Sequence, residues 1–556
     1  MYKQVLDPVS HSLGLTAIFA VLPLIILFVL LGVVRMKAHW ASLITLAVSI
    51  LVALIVYSMP IGQAGDSALE GAAFGFWPIM WIVINALWIF NLTEATGHFA
   101  VLRRAFESVS DDPRVQVVVI AFCFGALLEA LAGFGTPVAI CGIMLVGLGL
   151  PPVQAAAVCL IADTAPVAFG AIAIPITTLG EVTGLPAHNL AQMVGRQTPF
   201  LALIVPFVLV FVIDGRRGLR HAWPAALAAG VTFGVVQFAI SNYVNYQLTD
   251  IIASIASAGA VVMLTRVWTP AAGLPAGFGE PGGPRPAMAG GATAQPTLER
   301  RVRAEQGRPM RRLELFEAFI PYIIITIVLG VISLNSVHDQ LLKSTTEFKW
   351  PGLHILGATG KPPKSETFKL DWLSAAGTGL LASGLLTMLA LRIRPGLAIR
   401  TYLGTLNQIK WALLTVCTVL ALAYVMNFSG QTVTLGTWAA GAGGFFAFLS
   451  PLIGWFGTAV TGSDTSTNSL FGALQVAAAK HASLSPTLLS GANSSGGVLA
   501  KMVSPQNLAI GAAAVGLAGR EGDIFRRVIG WSVFLVLLMA GLVLLQSTSV
   551  LSWMVP

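Results

Sequence analysis

Charged residues are scarce in this sequence. Only 10% of its 556 residues are Asp, Glu, Lys or Arg, whereas 56% are hydrophobic and the mean hydropathy is +0.81. A water-soluble fold of this length would have nowhere to put so much apolar surface. The shortage of charge therefore excludes an ordinary soluble protein and indicates a polytopic membrane protein.

Cysteine and clustered histidine are also lacking. The four cysteines stand singly in apolar stretches, the eight histidines are scattered, and the pair Asp111-Asp112 stands alone. A membrane-embedded enzyme would need a nucleophile with its base, a metal cluster or a diphosphate motif, and none of these is evident. We therefore expect packing cysteines, no metal ion, no cofactor and no enzymatic activity.

Apolar runs long enough to cross a hydrocarbon core of roughly 30 Å recur along the chain. They lie at residues 12–33, 38–59, 73–92, 115–131, 198–213, 222–242, 249–267, 315–334, 371–391, 408–426, 433–453 and 529–552. Two further stretches, 136–180 and 466–519, are apolar but interrupted by Gly, Pro and Ser. This pattern predicts broken helices or re-entrant hairpins.

The net charge of +8 comes from basic residues at the ends of these runs. The positive-inside rule explains that distribution without a nucleic-acid partner and predicts that both termini lie outside. Residues 270–312, rich in Gly, Pro, Ala and Arg, are typical of a flexible cytoplasmic linker. The lysines of residues 335–370 do not fit this orientation, because that loop would be external.

Two unusual polar stretches occur twice. Residues 125–136 (GALLEALAGFGT) align with 454–465 (GWFGTAVTGSDT) at a constant offset. Residues 162–175 (ADTAPVAFGAIAIP) align with 492–505 (ANSSGGVLAKMVSP) at an offset one residue longer. Small residues also occur at ordinary contacts between membrane helices. Paired, glycine-interrupted breaks in two halves nevertheless favour the substrate site of a secondary transporter.

Such breaks are suited to binding an anion. Gly133 and Gly135 let backbone amides approach a ligand closely, and a helix beginning at Thr136-Pro137 would direct its positive end toward a negative charge. The stretch TGSDTSTN in the second half offers several hydroxyl donors. We interpret the two stretches as anion cradles that face each other.

Few charged residues fall within the apolar regions, where each one is costly. Lys501 is a candidate partner for a substrate carboxylate. Glu129, Asp163 and Asp464 are candidate proton carriers, because a buried acid favours its neutral form. A structural ion pair of Lys501 with Asp163 or Asp464 is the simpler alternative, and it is compatible with transport because a substrate or a proton could compete for it.

Six segments closely resemble the bacterial lactate permease family. They are FCFGALLEALAGFGTPVAI, LIADTAPVAFGAIAIP, MVGRQTPF, FKLDWLSAAGTG, GWFGTAVTGSDTSTNSLFGALQ and VLAKMVSPQNLAI. The likeness covers nearly the whole chain, apart from residues 270–312 and parts of 335–365. One departure is Asp163, which stands where the family pattern has Asn in NTAPVAFGA.

The resemblance implies import of lactate, and often of glycolate, by proton symport across the cytoplasmic membrane. It also implies a likeness to ion transporters with inverted repeats, with hairpins at residues 129–145 and 456–475 and helix breaks near 163–170 and 493–504. An additional acid at position 163 would then alter proton coupling or substrate preference.

Two other transport functions stay open. A sodium-coupled carrier of another small mono- or dicarboxylate would use Asp464 and unwound carbonyl groups near residues 163–168 and 493–497 as ligands. An anion channel could also use polar loops, although two duplicated halves with unequal charges suit alternating access better.

We therefore expect an all-α polytopic membrane protein with two repeated, inverted halves, re-entrant hairpins and discontinuous helices, similar to the ion-transporter superfamily. The halves are residues 1–267 and 314–556, joined by a linker at 268–313, and their hairpins and breaks lie at about 125–180 and 454–519. The expected partners are lactate and related 2-hydroxy monocarboxylates, protons and membrane lipid, and a homo-oligomer is compatible with the sequence.

The expected site residues form two groups. Proton coupling is assigned to Glu129, Asp163 and Asp464. Substrate binding is assigned to Lys501, Asn493, Ser494, Ser463, Thr465, Gly133, Gly135, Thr136, Thr164, Ser504, Gln506 and Arg196.

Overall fold

A computed structural model describes residues 2–270 and 312–556, apart from positions 35, 134, 333, 358, 359, 361 and 363–365. Most of these residues are helical, because a helix satisfies its own backbone hydrogen bonds where lipid offers none. The α-helices are Leu13–Ala20, Leu22–Phe28, Ala38–Ile55, Ile61–Phe74, Trp81–Ala95, His98–Glu107, Pro113–Val117, Gly125–Leu131, Thr136–Gly147, Pro152–Ala162, Gly170–Thr183, Ala187–Val194, Thr198–Tyr243, Thr249–Thr265, Arg312–Ile332, Asn335–Leu342, Ala376–Ala390, Pro395–Ser429, Gln431–Ala439, Phe446–Thr461, Asp464–His481, Pro486–Ala500, Pro505–Ala514 and Glu521–Gln546.

Among the described residues, 10 helical runs are long and apolar enough to cross a membrane. The run predicted at 73–92 is part of a longer one, Ile61–Ala95. Its first half is polar enough to escape a hydropathy search, but it packs inside the protein. A Cβ on Gly71 would lie only 2.5 Å from the backbone oxygen of Leu420 in the helix Pro395–Ser429. Close backbone packing of this kind is typical of glycine in membrane helices.

Two of the predicted spans differ in another way. Those at 198–213 and 222–242 lie in one helical run, Ala187–Tyr243, whose backbone is non-helical at Asp214 and Gly215. The two spans are therefore separated by a break at these two residues, in place of the interval 214–221 between the predicted runs.

The region 335–370 contains short strands that the sequence did not predict. Thr346–Lys349 pairs antiparallel with Thr367–Leu370, with Thr346 opposite Leu370. Ile355–Leu356 pairs in parallel with Tyr2–Lys3 near the N-terminus. The expected all-α class therefore describes the membrane helices, whereas this loop adds two small two-stranded sheets.

Two helical hairpins match the repeated stretches. The first hairpin, residues 113–147, turns at Gly133 and Gly135, whose φ values are 56° and 80°. The second hairpin, residues 446–481, turns at Gly462 with φ 76°. Only glycine adopts this left-handed region without a steric cost. The helix start predicted at Thr136-Pro137 is confirmed.

Each hairpin is followed in the chain by a broken helix. The first broken helix, residues 152–183, bends by 64° between Pro152–Ala162 and Val167–Thr183. The second broken helix, residues 486–514, is interrupted by the 3-10 turn Lys501–Val503 and resumes at Pro505. These are the discontinuous helices that the repeated Gly, Pro and Ser residues predicted.

Most of the linker expected at 268–313 lies outside the described residues. The division into halves at 1–267 and 314–556 and the external position of both termini stay predictions.

Candidate functional site

The tips of the two hairpins come together at the start of the helix Pro505–Ala514. In the first tip, a Cβ on Gly135 would lie 2.7 Å from Ile510 Cδ1 and 3.5 Å from Asn507 Oδ1. In the second tip, the carbonyl oxygen of Gly462 accepts a hydrogen bond from Asn507 Nδ2 at 3.2 Å. Asn507 therefore lies where both cradles converge.

Beside this junction, three charged side chains form a buried cluster, called here the ion triad. Lys501 Nζ lies 2.6 Å from Glu129 Oε1 and 3.0 Å from Asp163 Oδ2. Their residue exposures are 5%, 3% and 3%. Of the two partners expected for Lys501, Asp163 is paired with it and Asp464 is not; the second partner is Glu129.

The triad forms because both broken helices are interrupted next to Glu129 of the first hairpin. Asp163 follows the last residue of Pro152–Ala162, and Lys501 follows the last residue of Pro486–Ala500. Space for the Glu129 carboxyl group is made by Gly170, on which a Cβ would lie 2.7 Å from Glu129 Oε1. The two breaks and the hairpin thus supply one charged group each.

The triad contains more acid than base. With all three groups ionised it carries a net charge of one negative unit. Glu129 Oε2 and Asp163 Oδ1 have no hydrogen-bond partner among the described residues. Because removing a carboxylate from water costs several kcal/mol unless it is paired, such a cluster has capacity for one further positive charge.

Asp464 is held in a separate polar network. Its Oδ2 accepts hydrogen bonds from Ser494 Oγ at 2.6 Å and from Asn468 Nδ2 at 3.3 Å. Asn493 Nδ2 donates to Asn468 Oδ1 at 2.8 Å, and Gln475 Nε2 donates to Asn493 Oδ1 at 3.2 Å. The network ties the second hairpin to the second broken helix.

This network lies close to the triad. A Cβ on Gly497 would come within 2.2 Å of Asp464 Oδ1, and Gly497 is one helical turn before Lys501. Asp464 Oδ1 itself has no hydrogen-bond partner in the part of the chain that the structure describes. The predicted residues Asn493, Ser494 and Asp464 are therefore neighbours of the triad without belonging to it.

The remaining predicted residues lie around the break and tips. Gly133 lies against Ala171, and Ser504 caps the helix after the second break by accepting from the backbone of Asn507. Ser463 caps the helix Asp464–His481 in the same way. Thr136 and Thr465 are half-buried in the first turns after the tips. Gln506 is exposed and lies beside Gly462. Thr164 donates a hydrogen bond to the Ile161 carbonyl oxygen of its own helix.

Arg196 is not brought to this site. Its Nε donates to Asn242 Oδ1 at 2.9 Å and its Nη1 donates to the carbonyl oxygen of Met554 at 3.0 Å. The neighbouring residue, Gln197, does reach the second broken helix, because its Oε1 accepts from Ser495 Oγ at 2.7 Å. The sequence around a basic residue that precedes an apolar run does not indicate which part of the protein that residue will contact.

Asp250 is one of the buried acids that the sequence did not single out, together with Glu70 and Glu366. Asp250 is only 1% exposed, and its Oδ1 accepts from Gln237 Nε2 at 3.0 Å. The same amide group lies 3.4 Å from the carbonyl oxygen of Ala165 in the first break. The sequence signal was weak, since an Asp in the first turn of a helix is usually a surface residue that stabilises the helix end.

The sequence model described as L-lactate permease matches residues 16–550. The chain belongs to the L-lactate permease family. It is 40% identical over 553 residues to the glycolate permease GlcA of Escherichia coli K12, covering 96% of each chain. It is 39% identical over 575 residues to the L-lactate permease of Bacillus subtilis 168, covering 100% of each chain.

Members of this family are permeases rather than enzymes, and the chain is a multi-pass protein of the bacterial inner membrane. Among solved structures, the chain is similar to the efflux pump MtrF of Neisseria gonorrhoeae, with a TM-score of 0.46 and 13% identity over 86% of this chain and 83% of that one. A TM-score below 0.5 is too low to assign a shared fold.

Proposed function

We propose that this permease imports L-lactate together with protons, and that it also accepts D-lactate and glycolate. The relatives named L-lactate permease and glycolate permease support this substrate class. The observation that carries the coupling is the ion triad, in which one lysine faces two carboxyl groups in a site closed to water.

The charge of the triad explains why an anion would need a proton. A lactate anion that reached Lys501 would have to displace Glu129 or Asp163, and it would add a second negative charge to a buried site. If one proton binds the displaced acid, the net charge of the site is unchanged. Joint binding avoids the cost of an unpaired buried charge, so the substrate and the proton favour each other.

The polar groups around the triad are suited to a 2-hydroxy acid. Its carboxylate would pair with Lys501. Its hydroxyl group would find donors and acceptors in Ser504, Asn507 and the polar network around Asp464. Backbone amides at the two tips would provide further donors, as helix starts commonly do for anions. A short monocarboxylate fits this division into one cation and several neutral hydrogen-bonding groups.

A transport cycle follows from the burial of the triad. Because Lys501, Glu129 and Asp163 are closed to water in this conformation, the site must open to one side and then to the other. In transporters with paired breaks, such alternating access arises from movement of one bundle around the fixed site.

The deciding experiment is uptake of radiolabelled L-lactate by purified protein in liposomes. An inward gradient of one pH unit supplies ~1.4 kcal/mol and should drive about tenfold accumulation for one proton per lactate. A protonophore should abolish the accumulation, and sodium should have no effect. D-lactate and glycolate should compete with the labelled substrate.

Two other outcomes have clear meanings. Accumulation that requires sodium would indicate that a sodium ion, and not a proton, brings the positive charge that accompanies lactate. Flux that merely equilibrates lactate, whatever the pH gradient, would indicate a channel. As a matched control, Lys480→Ala removes an exposed lysine from the second hairpin and should transport normally.

A further inference from the structure

The helix Thr198–Tyr243 is bent at Asp214 and Gly215 into two limbs that pack side by side. A groove of about 590 Å³ lies along the surface of these limbs, away from the triad. Glycines bring the limbs together. A Cβ on Gly230 would lie 2.9 Å from the Ala202 carbonyl oxygen, and one on Gly234 would lie 3.1 Å from that of Pro199. The limbs therefore touch through backbone, and the larger side chains on either side form the walls of the groove.

The walls are apolar and face outward. They include Phe200 and Leu203 on one limb and Val231, Val235 and Phe238 on the other, with exposures of 46%, 37%, 43%, 61% and 37%. A water-soluble substrate would find no hydrogen-bonding groups along these walls. A hydrocarbon chain would be a suitable occupant, since burying apolar surface requires no partner groups.

One end of the groove is polar and positively charged. Arg196 lies there, held by its bonds to Asn242 and to the Met554 carbonyl. Its Nη2 has no acceptor in the residues that the structure describes, so one donor nitrogen remains for a ligand. Tyr243 and Trp553 flank the same end, and both are 74% exposed. Tyrosine and tryptophan are enriched at the level of lipid headgroups.

We propose that this groove binds an anionic phospholipid. Its phosphodiester group pairs with Arg196 between Tyr243 and Trp553, and an acyl chain lies along the walls toward Leu203. Charge complementarity at the Arg196 end and apolar walls over the rest of the groove match the two parts of a lipid molecule. Lipid binding here does not require that the transported substrate be lactate.

Contacts beside Arg196 link the lipid site to the transport machinery. Gln197 accepts from Ser495 and donates to Gln546 Oε1 at 2.9 Å. Ser495 is adjacent to Ser494, which donates to Asp464. A lipid that orders Arg196 and its neighbours would thus stabilise the second broken helix in the position described here.

The test is native mass spectrometry of the full chain in detergent, titrated with phosphatidylglycerol or with phosphatidylcholine of the same acyl chains. The wild type should bind phosphatidylglycerol more tightly. Arg196→Gln should lower that preference about fivefold, the effect of one basic residue near a charged lipid surface, and Arg196→Lys should retain most of it.

Two further variants keep the proposal falsifiable. Val235→Trp should weaken retention of both lipids by filling the groove, without changing any charge. Arg220→Gln removes an exposed arginine near the bend of the helix, at the end of the limbs away from Arg196. It should leave the preference unchanged. Equal binding of the two lipids by the wild type would overturn the proposal. So would an equal loss in Arg220→Gln, or a dimer detected by cross-linking that Val235→Trp abolishes.

Discussion

The two broken helices occupy corresponding places in the repeated sequence, but they are built differently. The first contains three consecutive apolar residues, Ala171, Ile172 and Ala173, with φ values of 44°, 60° and 57°. The left-handed conformation costs such residues roughly 1–2 kcal/mol each. The second break has a regular cap, in which Ser504 precedes Pro505 at the first helical position.

Their side chains differ as much as their backbones. The first break offers one acid, Asp163, and one hydroxyl group, Thr164, which bonds only to its own helix. The second break supplies Lys501, and its preceding helix supplies a run of amide and hydroxyl groups that hold Asp464. The first break thus carries an acid and a strained backbone, whereas the second carries the cation and most of the neutral hydrogen-bonding groups. We call this difference the division of labour between the breaks.

The largest effect is expected for Lys501→Ala, which removes the cation of the second break. Without this cation, a lactate carboxylate in the buried site would be unpaired, which costs several kcal/mol. The initial rate of L-lactate uptake in liposomes should therefore fall by more than about 100-fold. The amount of inserted protein must be matched to wild type, with Lys480→Ala as the control. An uptake rate within twofold of wild type would remove Lys501 from the site.

The next effect concerns the two acids of the triad. Glu129→Gln should keep lactate exchange across the membrane but lose the roughly tenfold accumulation that one pH unit can drive. It removes the carboxylate closest to Lys501, whereas Asp163→Asn removes the one at 3.0 Å. We expect a weaker loss for Asp163→Asn, because the aligned position in the second broken helix is Asn493. Normal accumulation by both variants, and by Asp464→Asn, would place the proton elsewhere.

A smaller effect should separate the hydroxyl groups of the two helices. Ser494→Ala removes the 2.6 Å hydrogen bond to Asp464 Oδ2 and leaves that oxygen only the longer bond from Asn468 at 3.3 Å. A buried hydrogen bond is worth about 0.5–1.5 kcal/mol, and more when one partner is charged. The KM for lactate should therefore rise about tenfold. Thr164→Ala breaks only a bond within its own helix and should leave KM within twofold. Equal effects of the two substitutions would contradict the division of labour.

The smallest effect tests the backbone difference. Ala173→Gly should stabilise the protein by about 1 kcal/mol, because glycine adopts the left-handed conformation without strain. Ala509→Gly, in a regular and exposed part of the helix after the second break, should destabilise it by about 1 kcal/mol. Thermal unfolding in one detergent measures both, and a shift of the same sign would contradict the strain assigned to the first break.

Several elements could be predicted from sequence because their signal is local. Gly135 followed by Thr136-Pro137 predicted a helix start, and Gly, Pro and Ser inside apolar runs predicted the breaks. Gln63, Asp66 and Glu70 in the helix Ile61–Phe74 hid the start of that span. The pairing of Tyr2–Lys3 with Ile355–Leu356 lies beyond any local pattern. Strand pairing between distant segments depends on where the helices place them.

The candidate site was predicted in its residue types more than in its contacts. Lys501, Glu129, Asp163 and Asp464 stood out because charge is costly in lipid. The sequence could not say that Lys501 would pair with Glu129 and Asp163 while Asp464 would be held by Ser494. Asp250 was missed because its position in the first turn of a helix has an ordinary explanation.

The sequence by itself determined that this is a polytopic membrane protein of the L-lactate permease family, with repeated hairpins and broken helices. Composition and glycine placement act locally, through the cost of exposing charge or backbone to hydrocarbon. Only the tertiary structure decided which charges meet and that Arg196 faces an outer groove. Electrostatic pairing acts over a few ångströms, and residues hundreds of positions apart reach that distance only when the helices pack.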